Sequence, residues 1–100
     1  MFPKPKISVV IPTYNRPTNI QKILHKLVLS NISNEILICD GGSNALSKKK
    51  IKNLINNYYF HNIKYFDIGK NNHSAKRNKG IKASVAKYVV LLDDDCIPEN

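Results

Sequence analysis

Acidic side chains are scarce in this chain: seven Asp and Glu stand against sixteen Lys and Arg, a net charge of +9. A balance this basic suits anionic partners such as a membrane surface or a nucleic acid. The densest cluster, Lys48-Lys49-Lys50 with Lys52, carries no interleaved aromatics. That removes the stacking platform of a single-strand binder and leaves a solvated helix face as the simpler explanation, so no nucleic-acid partner is expected. Cysteine is limited to Cys39 and Cys96, with no CxxC and no zinc spacing, which points to buried free thiols. No apolar run approaches the ~20 residues of a membrane span. The start, Met1-Phe2-Pro3-Lys4-Pro5-Lys6, has no apolar signal region behind it, and a cytoplasmic location is the expectation. One hundred residues, 42% of them apolar, suit a single folded unit over 1–100 rather than a disordered chain.

Several common site signatures are missing as well. There is no GxxxxGK[ST] phosphate loop and no GxGxxG fingerprint; Gly41-Gly42 alone is weak. No Ser/His/Asp arrangement emerges. His25, His61 and His73 are scattered and read as ordinary surface or helix histidines, although His73 precedes a helix near the expected ligand edge.

What is present alternates between apolar runs and helical spacing. Ile7-Ser8-Val9-Val10-Ile11 reads as a strand stopped by Pro12. Ile20, Ile23, Leu24, Leu27 and Val28 share one helical face, and Pro17 suits the first turn of that helix. Ile36-Leu37-Ile38-Cys39 is a second strand, followed by the turn Asp40-Gly41-Gly42-Ser43. Ile51, Leu54, Ile55 and Tyr58 space a second helix, and Ile63-Lys64-Tyr65-Phe66 a more exposed third strand. Ser74 to about Ala86 reads as a third helix with Ala75, Ile81 and Val85 inward, and Tyr88 to Leu92 as the fourth strand. Strands joined through helices pair in parallel, giving an α/β, Rossmann-like open sheet between helical layers. Such a sheet binds ligands beyond the carboxyl ends of its strands. Thr13-Tyr14-Asn15, Asp40-Gly41-Gly42-Ser43 and Asp93-Asp94-Asp95 all fall at such ends.

The last of these clusters holds three of the seven acidic residues side by side. Adjacent carboxylates repel unless something positive joins them. Mg²⁺ or Mn²⁺ prefers oxygen ligands and bridges carboxylates to phosphates, so a metal–phosphate site competes with a solvated acidic loop. A rival pattern is DxDx[TV] of haloacid-dehalogenase-like phosphatases, approximated by Asp93-x-Asp95-x-Ile97. Position 97 is Ile, and that motif ordinarily follows the first strand of its domain rather than the fourth.

Together the motifs resemble family 2 glycosyltransferases of the GT-A fold. Val9-Val10-Ile11-Pro12-Thr13-Tyr14-Asn15-Arg16 looks like their opening motif, and Asp40-Gly41-Gly42-Ser43 like that of their second strand. Arg77-Asn78-Lys79-Gly80-Ile81 is similar to their Arg-Asn-x-Gly-Ile helix motif, and Leu92-Asp93-Asp94-Asp95-Cys96-Ile97-Pro98 to their DxD loop. The resemblance covers essentially the whole chain, but only the amino-terminal, nucleotide-sugar-binding half of the family's domain.

The resemblance implies a three-layer α/β/α unit with strand order 3-2-1-4 and the site over strands 1, 2 and 4. It implies a nucleotide-diphosphate sugar as donor, a UDP-sugar first among candidates, and Mn²⁺ or Mg²⁺ as cofactor. Pro12, Thr13 and Tyr14 would line the nucleotide pocket. Asp40 would accept hydrogen bonds from the base, and Arg77 would lie near the base or diphosphate. Asp93 would reach the ribose or a metal-bound water, Asp94 would complete the donor site, and Asp95 with Asp93 would hold the metal. The acceptor, a glycan or a lipid-linked molecule, is unspecified, and a basic surface would suit peripheral contact at the inner face of a membrane. The catalytic base of inverting members is expected beyond Asn100, so the chain reads as an incomplete transferase domain, with a non-catalytic nucleotide-binding remnant as the alternative.

Four positions depart from the family's pattern. Lys76 stands where Ala is usual before the Arg, Ala86-Lys87 replaces Gly-Glu, and Ala45 replaces an acidic residue at the start of the second helix. In the implied order strands 2 and 4 flank strand 1, about 9.5 Å apart. A Cys39–Cys96 disulfide needs Cα atoms within about 7 Å and is not expected.

Overall fold

The computed structural model describes residues 4–30, 34–58 and 61–94. Its elements follow the order β1 (Ile7–Thr13), α1 (Pro17–Val28), β2 (Asn34–Asp40), α2 (Ala45–Asn57), β3 (Ile63–Asp67), α3 (His73–Ala83) and β4 (Tyr88–Leu91). The sheet runs β3-β2-β1-β4 with every neighbouring pair parallel, as the resemblance implied. Among the described residues no helix is long and apolar enough to cross a membrane.

β1 and β2 form the centre because they are apolar on both faces. Val9, Ile11, Ile36 and Ile38 pack with Ile20, Ile23 and Leu24 of α1 and Ile51 of α2. Val10, Leu37 and Cys39 point to the other face, beside Phe66. Burying each of these large aliphatic side chains is worth about 1.5–3 kcal/mol. Burial also pushes the Cys39 thiol up to about 11, against a smaller opposing pull from Lys79, so this cysteine is an inert packing group. Cys96, and with it the question of a disulfide, lies outside the described residues.

Several boundaries differ from the sequence expectation for physical reasons. β1 continues through Pro12 to Thr13 because β4 pairs with it only from Ile7 to Val10, so on that side no ladder donor is missed at the proline. β2 begins early enough to include Glu35, a fully buried carboxylate. Its partners make that tolerable: Ser8 Oγ donates to Oε1 at 2.8 Å, Lys64 Nζ to Oε2 at 2.7 Å, and the Val85 N–H to Oε1 at 3.1 Å. The Val85 bond also explains why α3 stops at Ala83 rather than Ala86. The Ser84 hydroxyl donates to the Ile81 carbonyl at 2.7 Å, and the chain then turns toward Glu35.

The inward face of α3 is not the expected one. Ile81 and Val85 are exposed, while Lys76 and Gly80, four residues apart on one face, are buried. Gly80 lies so close to β1 that only a hydrogen fits where a side chain would begin. A helix that hugs the sheet this closely covers it with backbone, which hydrophobic spacing does not reveal. β4 occupies the sheet edge, as the order 3-2-1-4 requires, and all four of its residues are exposed.

Candidate donor site at the carboxyl edge of the sheet

Three connections converge beyond the carboxyl ends of the central strands. The β1–α1 turn is set by Asn15, which adopts a left-handed φ of 54°. Asn and Asp tolerate that region because a short polar side chain bonds locally. Here the Asn15 N–H donates to Ser43 Oγ at 2.8 Å, and Asn15 Oδ1 accepts from the Asn44 N–H at 2.8 Å. Ser43 donates in turn, from its hydroxyl at 2.6 Å and its N–H at 3.0 Å, to Oδ1 of Asp40. The other Asp40 oxygen accepts from the Tyr65 hydroxyl at 2.5 Å. One chain of hydrogen bonds thus locks the turns after β1 and β2 together and ties them to β3. Asn44 also caps α2, accepting from the Ser47 N–H at 2.9 Å, which compensates for the missing acidic residue at Ala45.

The turn after β4 is tied to the same framework through Asp94. Thr13 Oγ1 donates to its Oδ2 at 2.9 Å, Arg16 lies 3.3 Å from its Oδ1, and Asn19 donates to its backbone carbonyl at 3.0 Å. Asp93, next in line, is half-exposed. His73 Nε2 and Arg77 approach its carboxylate at 3.9 and 3.8 Å. Asn72 caps α3 by accepting from the Ala75 N–H at 2.9 Å, and so aims the first turn of that helix at Asp93.

Between these pieces lies an open, mostly polar cavity of about 290 Å³. Pro12, Thr13, Tyr14 and Arg16 form one wall, Asn71, His73 and Lys76 another, and Asp93 and Asp94 the floor. Of the residues expected from sequence, the structure brings together Pro12, Thr13, Tyr14, Asp93 and Asp94, with Arg77 beside Asp93. Asp40 is elsewhere: it is fully buried behind the wall, with both oxygens already accepting. Asp95 lies outside the described residues. Sequence reasoning missed Arg16, Asn71, His73 and Lys76. The signals for two of them are in the sequence: His73 stands at the start of the third helix by the ligand edge, and Lys76 departs from the family's pattern.

The donor chemistry fits a hard divalent cation. Among the described residues no group of three or more His, Cys, Asp or Glu gathers as a protein-only metal cage. Mg²⁺-like ions do not need one, since they bind through one or two carboxylates plus water and substrate phosphates. Asp93, half-exposed on the cavity floor, offers such a carboxylate, while Asp94 is occupied by Thr13 and Arg16.

Comparison with known proteins bears on the fold and the family. A mannosyltransferase of Pyrobaculum calidifontis, solved in complex with GDP-Man and Mn²⁺, superposes with a TM-score of 0.82 at 16% identity, covering 93% of this chain and 28% of that one. This likeness shows the fold, a GT-A arrangement. An uncharacterized glycosyltransferase of Rickettsia conorii is 38% identical over 98 residues, covering 90% of this chain. A GalNAc(5)-diNAcBac-PP-undecaprenol beta-1,3-glucosyltransferase of Campylobacter jejuni is 29% identical over 96 residues, covering 91%. The chain spans 15% and 30% of the lengths of these relatives. The family model for Glycosyl transferase family 2 matches residues 8–100. With that match over nearly its whole length, and with the sheet order and edge cavity described above, the chain belongs to glycosyl transferase family 2.

Proposed function

We propose that the chain is the donor-binding part of a glycosyltransferase: it holds a nucleotide-diphosphate sugar with Mn²⁺ or Mg²⁺, for transfer of the sugar to an acceptor. The observation that carries this proposal is the edge cavity, where the Pro12-Thr13-Tyr14 wall faces the Asp93-Asp94 floor with Arg77 alongside. In this reading Tyr14, 40% exposed, offers its ring as a surface for the base. Asp93 faces the ribose or the ion, and Asp95 completes the ion's protein ligands. Asp40 holds the turn after β2 through Ser43 and meets the base only where Tyr65 gives up its hydrogen bond. Arg77 stands where a leaving diphosphate gains charge, and a fixed cation there favours departure. A bound divalent ion supplies the same kind of charge stabilisation to the diphosphate.

The acceptor and the base that deprotonates it belong, in this proposal, to the part of the relatives that this chain does not span. The Campylobacter relative's name specifies an undecaprenol-linked glycan, which supports a lipid-linked acceptor here and a place of work at the cytoplasmic face of a membrane. The neighbour's GDP-Man makes a guanosine carrier an open rival to the UDP-sugar expected from sequence.

The test is calorimetric titration of UDP, GDP and dTDP, with and without Mn²⁺, into the wild-type chain and into Asp93→Asn and Asp95→Ala. Mn²⁺-enhanced binding of one nucleotide, weakened in both variants, is the expected result. Absence of binding by all three nucleotides with Mn²⁺ present would sink the proposal.

A further inference from the structure

Lys76 is the one cavity-lining cation that the interactions described so far leave without a counter-charge. Arg16 faces Asp94, and His73 and Arg77 face Asp93. Among the described residues no carboxylate lies within ion-pair distance of Lys76, whose ammonium donates to the neutral Oδ1 of Asn71 at 2.7 Å. Its burial is also of a different order. Lys76 is buried, whereas Arg16 and His73 are exposed and Arg77 is half-buried.

The fold creates this position. Lys76 sits one helical turn before Gly80, on the face that α3 presses against the sheet, so its aliphatic stem is covered. Asn71 is fixed by a second close approach, since a β-carbon on Gly41 would fall 2.8 Å from its Cα. The ammonium is therefore oriented by a held partner at the cavity wall. An ammonium has three donors, and burying its charge without an opposite charge is costly. A ligand that brings negative charge into the cavity removes that cost. Beside it, Nε of Arg77 is buried with no hydrogen-bond partner, a second unused donor on the same helix.

We infer that Lys76 contacts the diphosphate of the bound nucleotide and supplies a share of its affinity that does not depend on the divalent ion. This rests on the nucleotide-sugar reading above and assigns the site a cationic contact of its own. Lys suits the task as a compact point charge that follows a phosphate without demanding two-pronged geometry.

The test titrates inorganic pyrophosphate, the three nucleoside diphosphates and the corresponding nucleosides into the full chain, in EDTA and again in Mn²⁺. Lys76→Met keeps the stem and removes the charge, while Lys76→Gln keeps a donor for Asn71 and guards against a folding defect in the first variant. Lys82→Met removes one charge from the exposed last turn of α3 as a control for overall electrostatics. In EDTA, Lys76→Met and Lys76→Gln should weaken diphosphate binding by roughly 10- to 100-fold, as loss of a charged hydrogen bond does, with nucleoside binding unchanged. Lys82→Met should change it by less than about twofold. The inference is overturned if wild type binds neither pyrophosphate nor any diphosphate in EDTA, or if both Lys76 variants match wild type there. If no nucleotide binds even with Mn²⁺, the nucleotide-sugar reading fails separately, and pyrophosphate still decides the role of Lys76.

Discussion

A β-carbon built on Gly80 would lie 2.3 Å from Cγ1 of Val10 and 3.1 Å from Sγ of Cys39. The helix that carries Lys76 and Arg77 is thus set against the sheet by the absence of one methyl group. Gly80→Ala should destabilise the chain by about 1–3 kcal/mol through overpacking, less about 1 kcal/mol regained from helix propensity. Urea unfolding measures the difference. Val10→Ala in the same chain should recover part of the loss, and strictly additive effects would show that the two residues do not press on each other.

Glu35 gives the fold an acid-sensitive joint. Burial pushes its carboxyl up, but the hydrogen bonds from Lys64, Ser8 and Val85 outweigh burial and hold it below its ordinary value of 4.5. A carboxyl held down in the folded state adds stability at pH above that ordinary value, and the contribution disappears as pH falls through the lower folded value. Glu35→Gln should therefore flatten the loss of stability below about pH 4.5. At neutral pH it should cost about 1–3 kcal/mol, because Lys64 loses a charged partner but is itself part-exposed, and the amide keeps an acceptor for Ser8 and Val85. Thermal melts of both proteins across that range provide the check.

Tyr65 and Asp40 make the opposite prediction at high pH. Burial first, then the hydrogen bond to Asp40, makes the Tyr65 phenol harder to ionise than its ordinary value of 10.0. The stability this adds is complete below that value and is lost as pH rises through the higher folded one. Tyr65→Phe should cost about 1–3 kcal/mol near neutrality, because a buried Asp40 oxygen loses its donor. The variant should also show a shallower decline in denaturation midpoint above pH 10, and an equally steep one would refute the link.

Asn15 combines a left-handed backbone with two hydrogen bonds that join the turns after β1 and β2. Asn15→Ala should cost about 1–2 kcal/mol in stability, since alanine tolerates that φ poorly and offers no acceptor to Asn44. Asn15→Gly relieves the backbone and loses only the acceptor, so it should fall between Asn15→Ala and wild type in chemical denaturation.

Much of the architecture was legible because each level of the sequence agreed with the next. The runs in β1 and β2 are apolar at both parities, and polar clusters follow each of them, so parallel pairing and the ligand edge came together. Reading failed where apolarity and position part company. Ile81 and Val85 read as inward on spacing alone, yet α3 buries Lys76 and Gly80 instead. The edge place of β4 came instead from the order 3-2-1-4 that the resemblance implied, because an apolar run looks alike at the centre and at the edge of a sheet. At the site, the residue types of the β1 and β4 motifs were sufficient to find the cavity. Asp40 was harder, because its placement behind the wall depends on Tyr65 and Ser43, partners 25 and 3 residues away that only the fold selects.

The hydrogen bond from Thr13 to Asp94 spans 81 residues of sequence. Strand β1 is made well before β4, its neighbour in the sheet, so the cavity has no floor until the segment from β1 to Asp94 has emerged from the ribosome. Closing so long a loop is entropically costly, and non-local pairing of this kind slows folding. The helices and the β1–β2–β3 part of the sheet have the opportunity to settle earlier. The cavity is then the last part of this framework to form, and chains interrupted before β4 carry the β1–β2–β3 sheet without the cavity's floor.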